Sequence, residues 1–226
     1  MNTQLYSFWR SSAAFRVRIA LNLKGVDYTV LPVHLVKHGG EQTFPDYASK
    51  NPSRLVPLYT DGTHTIHQSL AIIEYLEEIQ VNPPLLPQTA IDRAWVRAVA
   101  MDIAIDTHPM NNLRVLRYLI KNLGMSTDAK DAWSQHWMTL SLESLEQRLS
   151  IDARVGRFAY GDQPGLIDVC LVPQIFNALS AKMEMKAYPT LMKIFQECMM
   201  LPAFINASWE KQIDAEGLNP PAPPQE

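Results

Sequence analysis

Apolar positions follow two different spacings along this chain, and its first part combines helical spacing with strand alternation. Phe15, Ile19 and Leu23 recur every four residues, as they do on one face of an amphipathic helix. A short apolar strand precedes this helix, and residues 27–33 alternate in the manner of a second strand. After a loop, a short turn or helix is expected around residues 45–49. The pattern therefore opens as strand, helix, strand.

A hairpin and a further helix complete this part of the chain. Residues 55–60 have the character of a strand, Asp61-Gly62 that of a tight turn, and residues 63–66 that of the partner strand. Residues 68–79 then have the amphipathic pattern of a helix. This order predicts a thioredoxin-like βαβαββα domain of the α/β class over residues 1–80.

A proline-rich linker over residues 81–88 ends this domain, because proline lacks the backbone N–H that a helix needs. Beyond the linker the chain has helical spacing throughout. Thr89 and Asp92 have the spacing of a self-satisfying N-terminal cap. The helix that they open is expected to run to about Leu123, with a kink at His108-Pro109.

Further helices are expected toward the end of the chain, and they predict an all-helical second domain over residues 89–215. Residues 216–226 are rich in proline and cannot bury a core, so we expect this tail to be disordered. The further helices are expected over residues 126–149, 165–180 and 189–200.

The composition is that of an ordinary globular protein, and it excludes several kinds of function. Of the 226 residues 47% are hydrophobic, and the net charge of −3 argues against a nucleic-acid partner recognised through a general basic field. No apolar run reaches the roughly 18 residues that span a membrane. The first residues lack the features of an export signal, and Cys170 and Cys198 lie apart in apolar helical stretches. We therefore expect a cytoplasmic protein with reduced cysteines.

The start of the first helix has the properties of an anion-binding site. Either Ser11 or Ser12 is a natural N-cap, and neither is followed three residues later by the Glu or Gln of a capping box. The N–H groups at the positive end of the helix dipole therefore have no internal anion, and Arg10 adjoins them. The external anion is either a phosphate or a thiolate. We favour a thiolate, because no glycine-rich phosphate-binding pattern is present here.

Two further features of the first domain suit an extended peptide ligand. A cis bond between Val56 and Pro57 would turn the Val56 N–H and C=O outward to pair with a peptide; the alternative is an ordinary proline at a strand start. The helix start at Gln68-Ser69 is suited to a carboxylate, unless Ser69 simply caps it. The turn through Arg10, Ser11 and Ser12 is called the serine turn. Together with this turn, these features fit a tripeptide with a thiol at one end and a carboxylate at the other. Glutathione is such a molecule.

Metal binding is not expected. The pairs His34/His38 and His64/His67 have spacings that occur in metal sites. The first pair runs into a glycine loop and the second spans a short strand, and no cysteine or clustered carboxylate completes either set.

Four segments of the chain carry a more specific pattern: residues 6–25, Asn51-Pro-x-x-Leu-Val-Pro57, residues 66–77 and residues 108–116. Together they closely resemble the zeta-class glutathione transferases, a family that includes the glutathione-dependent maleylacetoacetate and maleylpyruvate isomerases. The resemblance covers nearly the whole chain to Leu201. It implies a thioredoxin-like domain followed by an all-helical domain, and it implies a homodimer.

The resemblance also implies a set of site residues. Ser11 or Ser12 would hold the glutathione sulfur. Arg10, a further catalytic candidate, and Arg114 remain to stabilise a carboxylate or enolate of the substrate. Residues of the helical domain would reach in, although spacing alone leaves Arg114 facing either a pocket or solvent. The implied glutathione-binding residues are Ser11, Ser12, Ala13, Arg16, Gln42, Val56, Pro57, Gln68, Ser69, His108, Asn112 and Arg114.

Two positions depart from the family pattern. Ala13 stands where the family usually has a cysteine after the paired serines. This change does not remove the nucleophile, because the nucleophilic sulfur belongs to glutathione. Ser180 stands where the family usually has an arginine that holds a substrate carboxylate. One positive anchor for a dianionic substrate is therefore missing.

The activity that the resemblance implies is the cis–trans isomerisation of a maleyl acid, in the catabolism of tyrosine and other aromatic compounds. Glutathione would act as a cofactor that is not consumed, by reversible addition of its thiolate to a small dicarboxylic substrate. Two alternatives remain open. One is a transferase that conjugates glutathione to small electrophiles such as α-halo acids, for which Ser180 and Ala181 would open the pocket. The other is a non-catalytic glutathione-binding protein.

Overall fold

The computed structural model of this chain describes residues 3–215. Its contacts form two compact units. One contains the residues up to Pro84 together with those from Leu201 onward, and the other is Leu85–Met200. In the part of the chain that the structure describes, no helix is both long enough and apolar enough to cross a membrane.

The first unit is built on a mixed sheet of four short strands in the order β2-β1-β3-β4. Strand β1 runs parallel to β2 and antiparallel to β3, and β3 pairs antiparallel with β4. Leu5 is the centre of this sheet, since it lies opposite Val30 on one side and Tyr59 on the other. The strands are β1 (Gln4–Ser7), β2 (Thr29–Pro32), β3 (Leu58–Thr60) and β4 (Thr65–His67).

Three helices of the first unit complete the predicted thioredoxin-like order. The apolar stripe of the first helix is buried as predicted, with Phe15 and Ile19 fully inaccessible to solvent. This helix packs against the third one, and a buried ion pair joins their C-terminal ends, where Lys24 Nζ lies 2.7 Å from Glu77 Oε2. The helices are α1 (Ser12–Leu23), α2 (Pro45–Ala48) and α3 (Ser69–Ile79).

The regular secondary structure of the second unit is helical, as predicted, apart from one isolated β-bridge between Val155 and Gly161. Its longest helix buries Leu142 and Leu145 and begins after the Ser126 cap. Within the described residues its α-helices are α4 (Ala90–Met101), α5 (Leu113–Lys121), α6 (Thr127–Leu149), α7 (Leu166–Ser180) and α8 (Pro189–Cys198).

The prediction of one long helix over residues 89–123 is wrong in its length. Helix α4 ends at Met101, and a π-helical stretch (Asp102–Thr107) and a 3₁₀ turn (His108–Asn111) follow before α5. The Thr107 hydroxyl donates to the Asp102 carbonyl at 2.9 Å, a bond that spans five residues and competes with regular helical pairing. The break therefore begins before the predicted kink at Pro109.

The segment after Leu201 corrects the predicted domain boundary. Residues 201–215 were expected in the helical domain, but they belong to the first unit. A short helix, α9 (Pro202–Ile205), packs against α1, and the Asn22 side-chain amide donates to the backbone oxygen of Ala203 at 2.9 Å. The tail expected to be disordered, residues 216–226, lies outside the described residues.

Candidate functional site

The structure decides which serine caps the first helix. Ser11 has extended backbone angles, and its Oγ accepts a hydrogen bond from the Ala14 N–H at 3.2 Å. Ser12 is the first residue of α1 and is only 6% exposed. The first turn of α1 carries no acidic side chain, and within residues 3–215 the Ala13 N–H makes no hydrogen bond. The helix start therefore offers a half-buried hydroxyl and at least one backbone donor to an anion.

Arg10 was predicted to lie beside the two serines at the helix start, but its guanidinium packs against Trp209. The Arg10 side chain is exposed, and its guanidinium carbon lies 5.6 Å from the centre of the Trp209 ring. This is the geometry of a cation–π contact. Arg16, a second arginine of the predicted set, is 2% exposed and lies within α1.

Val56 presents its backbone for pairing. The Val56–Pro57 bond is cis, as predicted. Within residues 3–215 neither the N–H nor the C=O of Val56 makes a hydrogen bond, whereas the neighbouring Leu55 carbonyl accepts from Asn51 Nδ2 at 2.8 Å. The Val56 side chain packs in one buried cluster with Phe8. Because Phe8 begins the turn that contains Ser11, the unpaired backbone of Val56 lies on the same part of the first unit.

The start of α3 has no side-chain cap, and the residue at its N-cap position is Gln68. Ser69 is the first helical residue, so the alternative that Ser69 caps the helix is wrong. Gln68 has φ 73°, a left-handed conformation that non-glycine residues rarely adopt, and its side chain does not cap the helix. In the described part of the chain, the N–H groups of Ser69, Leu70 and Ala71 have no hydrogen-bond partner. This helix start is therefore suited to a carboxylate.

Gln42 contributes a buried acceptor that the fold leaves unsatisfied. It lies in a 3₁₀ turn over Glu41–Thr43, and its Oε1 atom is buried without a hydrogen-bond partner among the described residues. Its amide covers Gly40, where an added Cβ would lie 2.5 Å from Gln42 Nε2. Gly40 also has φ 107°, a left-handed backbone conformation that favours glycine.

The remaining predicted residues lie in the second unit. Asn112 caps α5, because its Oδ1 accepts from the Arg114 N–H at 3.1 Å, and this leaves the Asn112 amide hydrogens to donate elsewhere. The Arg114 side chain is exposed, and His108 is half-buried in the 3₁₀ turn. The role of these residues in binding glutathione stays a prediction. Ser180, at the end of α7, is exposed.

Sequence reasoning missed residues that hold the serine turn in place. Arg18 is completely buried in α1 and donates to backbone oxygens of that turn, and Asp214 accepts a hydrogen bond from the Trp9 N–H. The one signal of this role in the sequence was the position of Arg18, which lies among the apolar residues Phe15, Val17 and Ile19 of the same helix. In the part of the chain described, no three His, Cys, Asp or Glu side chains are grouped to hold a metal ion.

Comparison with known proteins places these features in a family. Residues 5–84 match the family described as glutathione S-transferase, N-terminal domain. A probable maleylacetoacetate isomerase of Vibrio cholerae is 46% identical, over 95% of this chain and 99% of that protein.

Solved structures give the same result. A bacterial maleyl pyruvate isomerase, described as a zeta-class glutathione S-transferase, superposes with a TM-score of 0.91 at 41% identity and covers 94% of this chain and 99% of its own. A maleylacetoacetate isomerase from Anaeromyxobacter dehalogenans, solved with bound dicarboxyethyl glutathione and citrate, has a TM-score of 0.82 at 36% identity over 95% and 97% of the two chains. The fold is that of a glutathione transferase. The chain belongs to the zeta class of that family, which includes the maleylacetoacetate and maleylpyruvate isomerases.

Proposed function

We propose that this chain is a glutathione-dependent cis–trans isomerase of maleyl acids such as maleylacetoacetate or maleylpyruvate. The observation that carries the proposal is the cap of α1. Ser11 accepts the Ala14 N–H through its oxygen, so its hydroxyl hydrogen remains available to an anion at the positive end of the helix. The relatives that share this fold at 36–46% identity carry the names of such isomerases, which supports the proposal.

The described residues of the first unit fit glutathione. The unpaired backbone of Val56 suits a peptide that binds as an added strand, and the free N–H groups at the start of α3 suit a carboxylate. The orphaned Oε1 of Gln42 suits a donor such as an amide or ammonium group. We further propose that Ser11 holds the sulfur, with Ser12, Ala13, Arg16, Pro57, Gln68 and Ser69 lining the same site and His108, Asn112 and Arg114 contributed by the helical unit.

Glutathione held by these residues would supply a thiolate for reversible addition to the conjugated double bond of the maleyl acid, which would let that bond rotate. The task of the protein is to keep that thiol ionised near neutral pH. Lowering its pKa from about 8.5 by about two units requires roughly 2.7 kcal/mol. A hydrogen bond to a charged group contributes about 1.5–3 kcal/mol and a helix dipole about 0.3–1 kcal/mol. Ser11 and the start of α1 are therefore sufficient.

The far carboxylate of a dianionic substrate needs a positive partner other than residue 180. Arg10 and Arg114 are the candidates from sequence. The Arg10 guanidinium is held against Trp209, while Arg114 is exposed at the start of α5. We propose that Arg114 takes this role, because its guanidinium has no described aromatic or carboxylate partner that would have to be displaced.

The remaining parts of the proposal concern assembly and setting. We propose a cytoplasmic homodimer that acts in the catabolism of tyrosine or other aromatic compounds. Cys170 and Cys198 are buried and form no disulfide within the described residues, which agrees with a reducing compartment.

One observation favours a second function. Ser180 is exposed and carries no charge at the position where the family usually has its carboxylate anchor. A pocket without that anchor is better suited to small electrophiles such as α-halo acids, to which a transferase would attach glutathione permanently. A non-catalytic binding protein is the least supported reading, because it gives no use to the Ser11 hydroxyl at the helix start.

The experiment that separates these functions is an assay of the purified protein with maleylacetoacetate and with maleylpyruvate, each with and without glutathione. An isomerase converts either acid only when glutathione is present and leaves the total free thiol constant. A transferase depletes the thiol in proportion to the product formed. A protein that binds glutathione but changes neither acid nor thiol would contradict both enzymatic proposals.

A further inference from the structure

Two side chains from outside the turn that contains Ser11 form hydrogen bonds to the backbone of that turn. The turn itself is short, since the Ser11 N–H bonds the Phe8 carbonyl at 2.9 Å. One of these side chains is that of Arg18, in the second turn of α1, and the other is that of Asp214, in the segment 201–215. Both belong to the first unit.

Arg18 connects the turn to the C-terminal segment through one buried guanidinium. Its Nη1 donates to Ser7 Oγ at 2.9 Å and its Nη2 to the Trp9 carbonyl at 3.2 Å. On its other side, Nε donates to the Ala207 carbonyl at 2.9 Å. The planar guanidinium presents its donors in a fixed fork, so these partners are held at a set distance from one another. Burial lowers the Arg18 pKa to about 10, so the side chain remains charged at neutral pH.

Asp214 binds the other backbone group of the same residue, Trp9. Its Oδ2 atom accepts from the Trp9 N–H at 3.0 Å, while Arg18 binds the Trp9 carbonyl. The Trp9 ring also meets the Trp209 ring edge to face, with centroids 6.0 Å apart. Trp9 is thus held at its N–H, its carbonyl and its ring by residues of α1 and of the C-terminal segment. It lies two positions before Ser11.

We propose that Asp214 is a positioning residue for the thiolate site, and that it acts through the Trp9 N–H to set the direction of the Ser11 hydroxyl. The inference rests on the proposed function, in which that hydroxyl binds the glutathione sulfur. A hydrogen bond to a charged atom depends steeply on its angle, so a small rotation of the turn weakens it. Arg18 serves the same turn, but its complete burial makes it a poor test, because its replacement would destabilise the fold.

A direct electrostatic effect of Asp214 on the bound thiol would change the thiol pKa in the direction opposite to the effect of positioning. A carboxylate near the sulfur repels a thiolate and raises its pKa, so removal of the charge would lower that pKa. Loss of positioning instead raises the thiol pKa. The Asp214→Asn variant separates the two effects, since its amide oxygen can still accept the Trp9 N–H while its charge is gone.

The test compares Asp214→Ala, Asp214→Asn and the matched control Glu210→Ala, which removes a carboxylate from the same segment without touching Trp9. The thiol pKa of bound glutathione is read from thiolate absorbance against pH in each purified protein. We expect Asp214→Ala to raise it by about one unit, Asp214→Asn to stay close to the wild type, and Glu210→Ala to leave it unchanged. Turnover at pH 7 should fall several-fold in Asp214→Ala alone, with little change in KM.

Each result has a distinct meaning. A wild-type protein that does not lower the thiol pKa overturns the proposed function and this inference with it. If the wild type lowers it but Asp214→Ala behaves identically, or if both Asp214 variants shift it downward, the positioning role alone is overturned. Thermal unfolding of the variants completes the test: an Asp214→Ala protein that is folded at the assay temperature and yet has the raised thiol pKa supports positioning. Equal effects of Asp214→Ala and Glu210→Ala would contradict it.

Discussion

The hydroxyl oxygen of Ser11 accepts a hydrogen bond from the backbone N–H of Ala14 at 3.2 Å. A hydroxyl that accepts through its oxygen still has one hydrogen to donate, and at the N-cap that hydrogen lies at the positive end of α1. Ser12, the next residue, is already inside the helix and nearly buried. The cap therefore gives two adjacent serines different roles.

Replacement of Ser11 by Ala should remove most of the activity. Loss of a hydrogen bond to a charged sulfur costs about 1.5–3 kcal/mol, so kcat/KM should fall roughly ten- to hundredfold. Loss of the cap should also lower the free energy of unfolding by about 1 kcal/mol. The matched variant Ser12→Ala should have the smaller effect on activity. Steady-state kinetics of both variants, with denaturant unfolding as a check, would refute the assignment if Ser12→Ala were the more damaged.

Gln68 combines a strained left-handed backbone with a proposed role in binding glutathione, and two substitutions measure these two effects separately. Gln68→Gly should be more stable than Gln68→Ala by about 1 kcal/mol, because only glycine adopts φ 73° without strain. Both variants lose the side chain, so both should bind glutathione more weakly and to a similar extent. Calorimetric titration with glutathione and denaturant unfolding measure the two effects. Equal stability of the two variants would argue against the left-handed conformation at this position.

The buried ion pair between Lys24 and Glu77 is expected to be important for stability rather than for chemistry. Lys24 Nζ contacts Glu77 Oε2 at 2.7 Å and also donates to the carbonyls of Gln80 and Pro83. Lys24→Met removes all of these bonds at once and should destabilise the protein by about 3–5 kcal/mol.

A lysine on the surface supplies the control for this pair. Lys50→Met, at an exposed position of the same unit, should change the free energy of unfolding by no more than about 0.5 kcal/mol. Where Lys24→Met remains folded, its thiol pKa for bound glutathione should equal that of the wild type. Similar unfolding midpoints for the two variants would show that the ion pair contributes little.

Asp168 should make the stability of the helical unit fall as the pH rises. Its carboxylate is buried and accepts from the N–H groups of Ala159 and Gly165, and burial raises its pKa from 3.8 to about 6. Between these values the native state binds more protons than the unfolded state, so stability is lost as the pH rises through this window. The loss reaches about 3 kcal/mol when the window has been crossed.

The control for this prediction is Asp168→Asn, which does not titrate and leaves one of the two N–H groups without an acceptor. The difference in unfolding free energy between wild type and variant should shrink from pH 4 to pH 7. A difference that instead grew with pH would mean that the native carboxyl has a pKa below its ordinary value.

Local sequence determined most of the secondary structure and the two helix starts of the site. The spacing of Phe15, Ile19 and Leu23 predicted α1, and the absence of a Glu or Gln three residues after Ser11, Ser12 or Ser69 predicted two helix starts without a capping box. These features depend on neighbours within about one helical turn, which the sequence displays directly. Which serine caps α1 depends on backbone angles, and residue type alone leaves that choice open.

Contacts between distant parts of the chain were not predictable in this way. The hydrogen bond from Arg18 to Ala207 joins residues 189 positions apart, and no local pattern distinguishes residues 201–215 from the helices that precede them. The early end of α4 at Met101 was missed for a related reason, since the Thr107 hydroxyl competes for a backbone carbonyl in a stretch whose apolar spacing remains helical.

The central claim is that the α1 start and Ser11 ionise a thiol that the protein does not itself supply. The most direct test is to measure the pKa of glutathione bound to the wild-type protein by thiolate absorbance. We predict that this pKa lies about two units below the solution value of about 8.5, and that it returns toward the solution value in Ser11→Ala. A bound thiol that titrates at its solution pKa in the wild type would contradict the account.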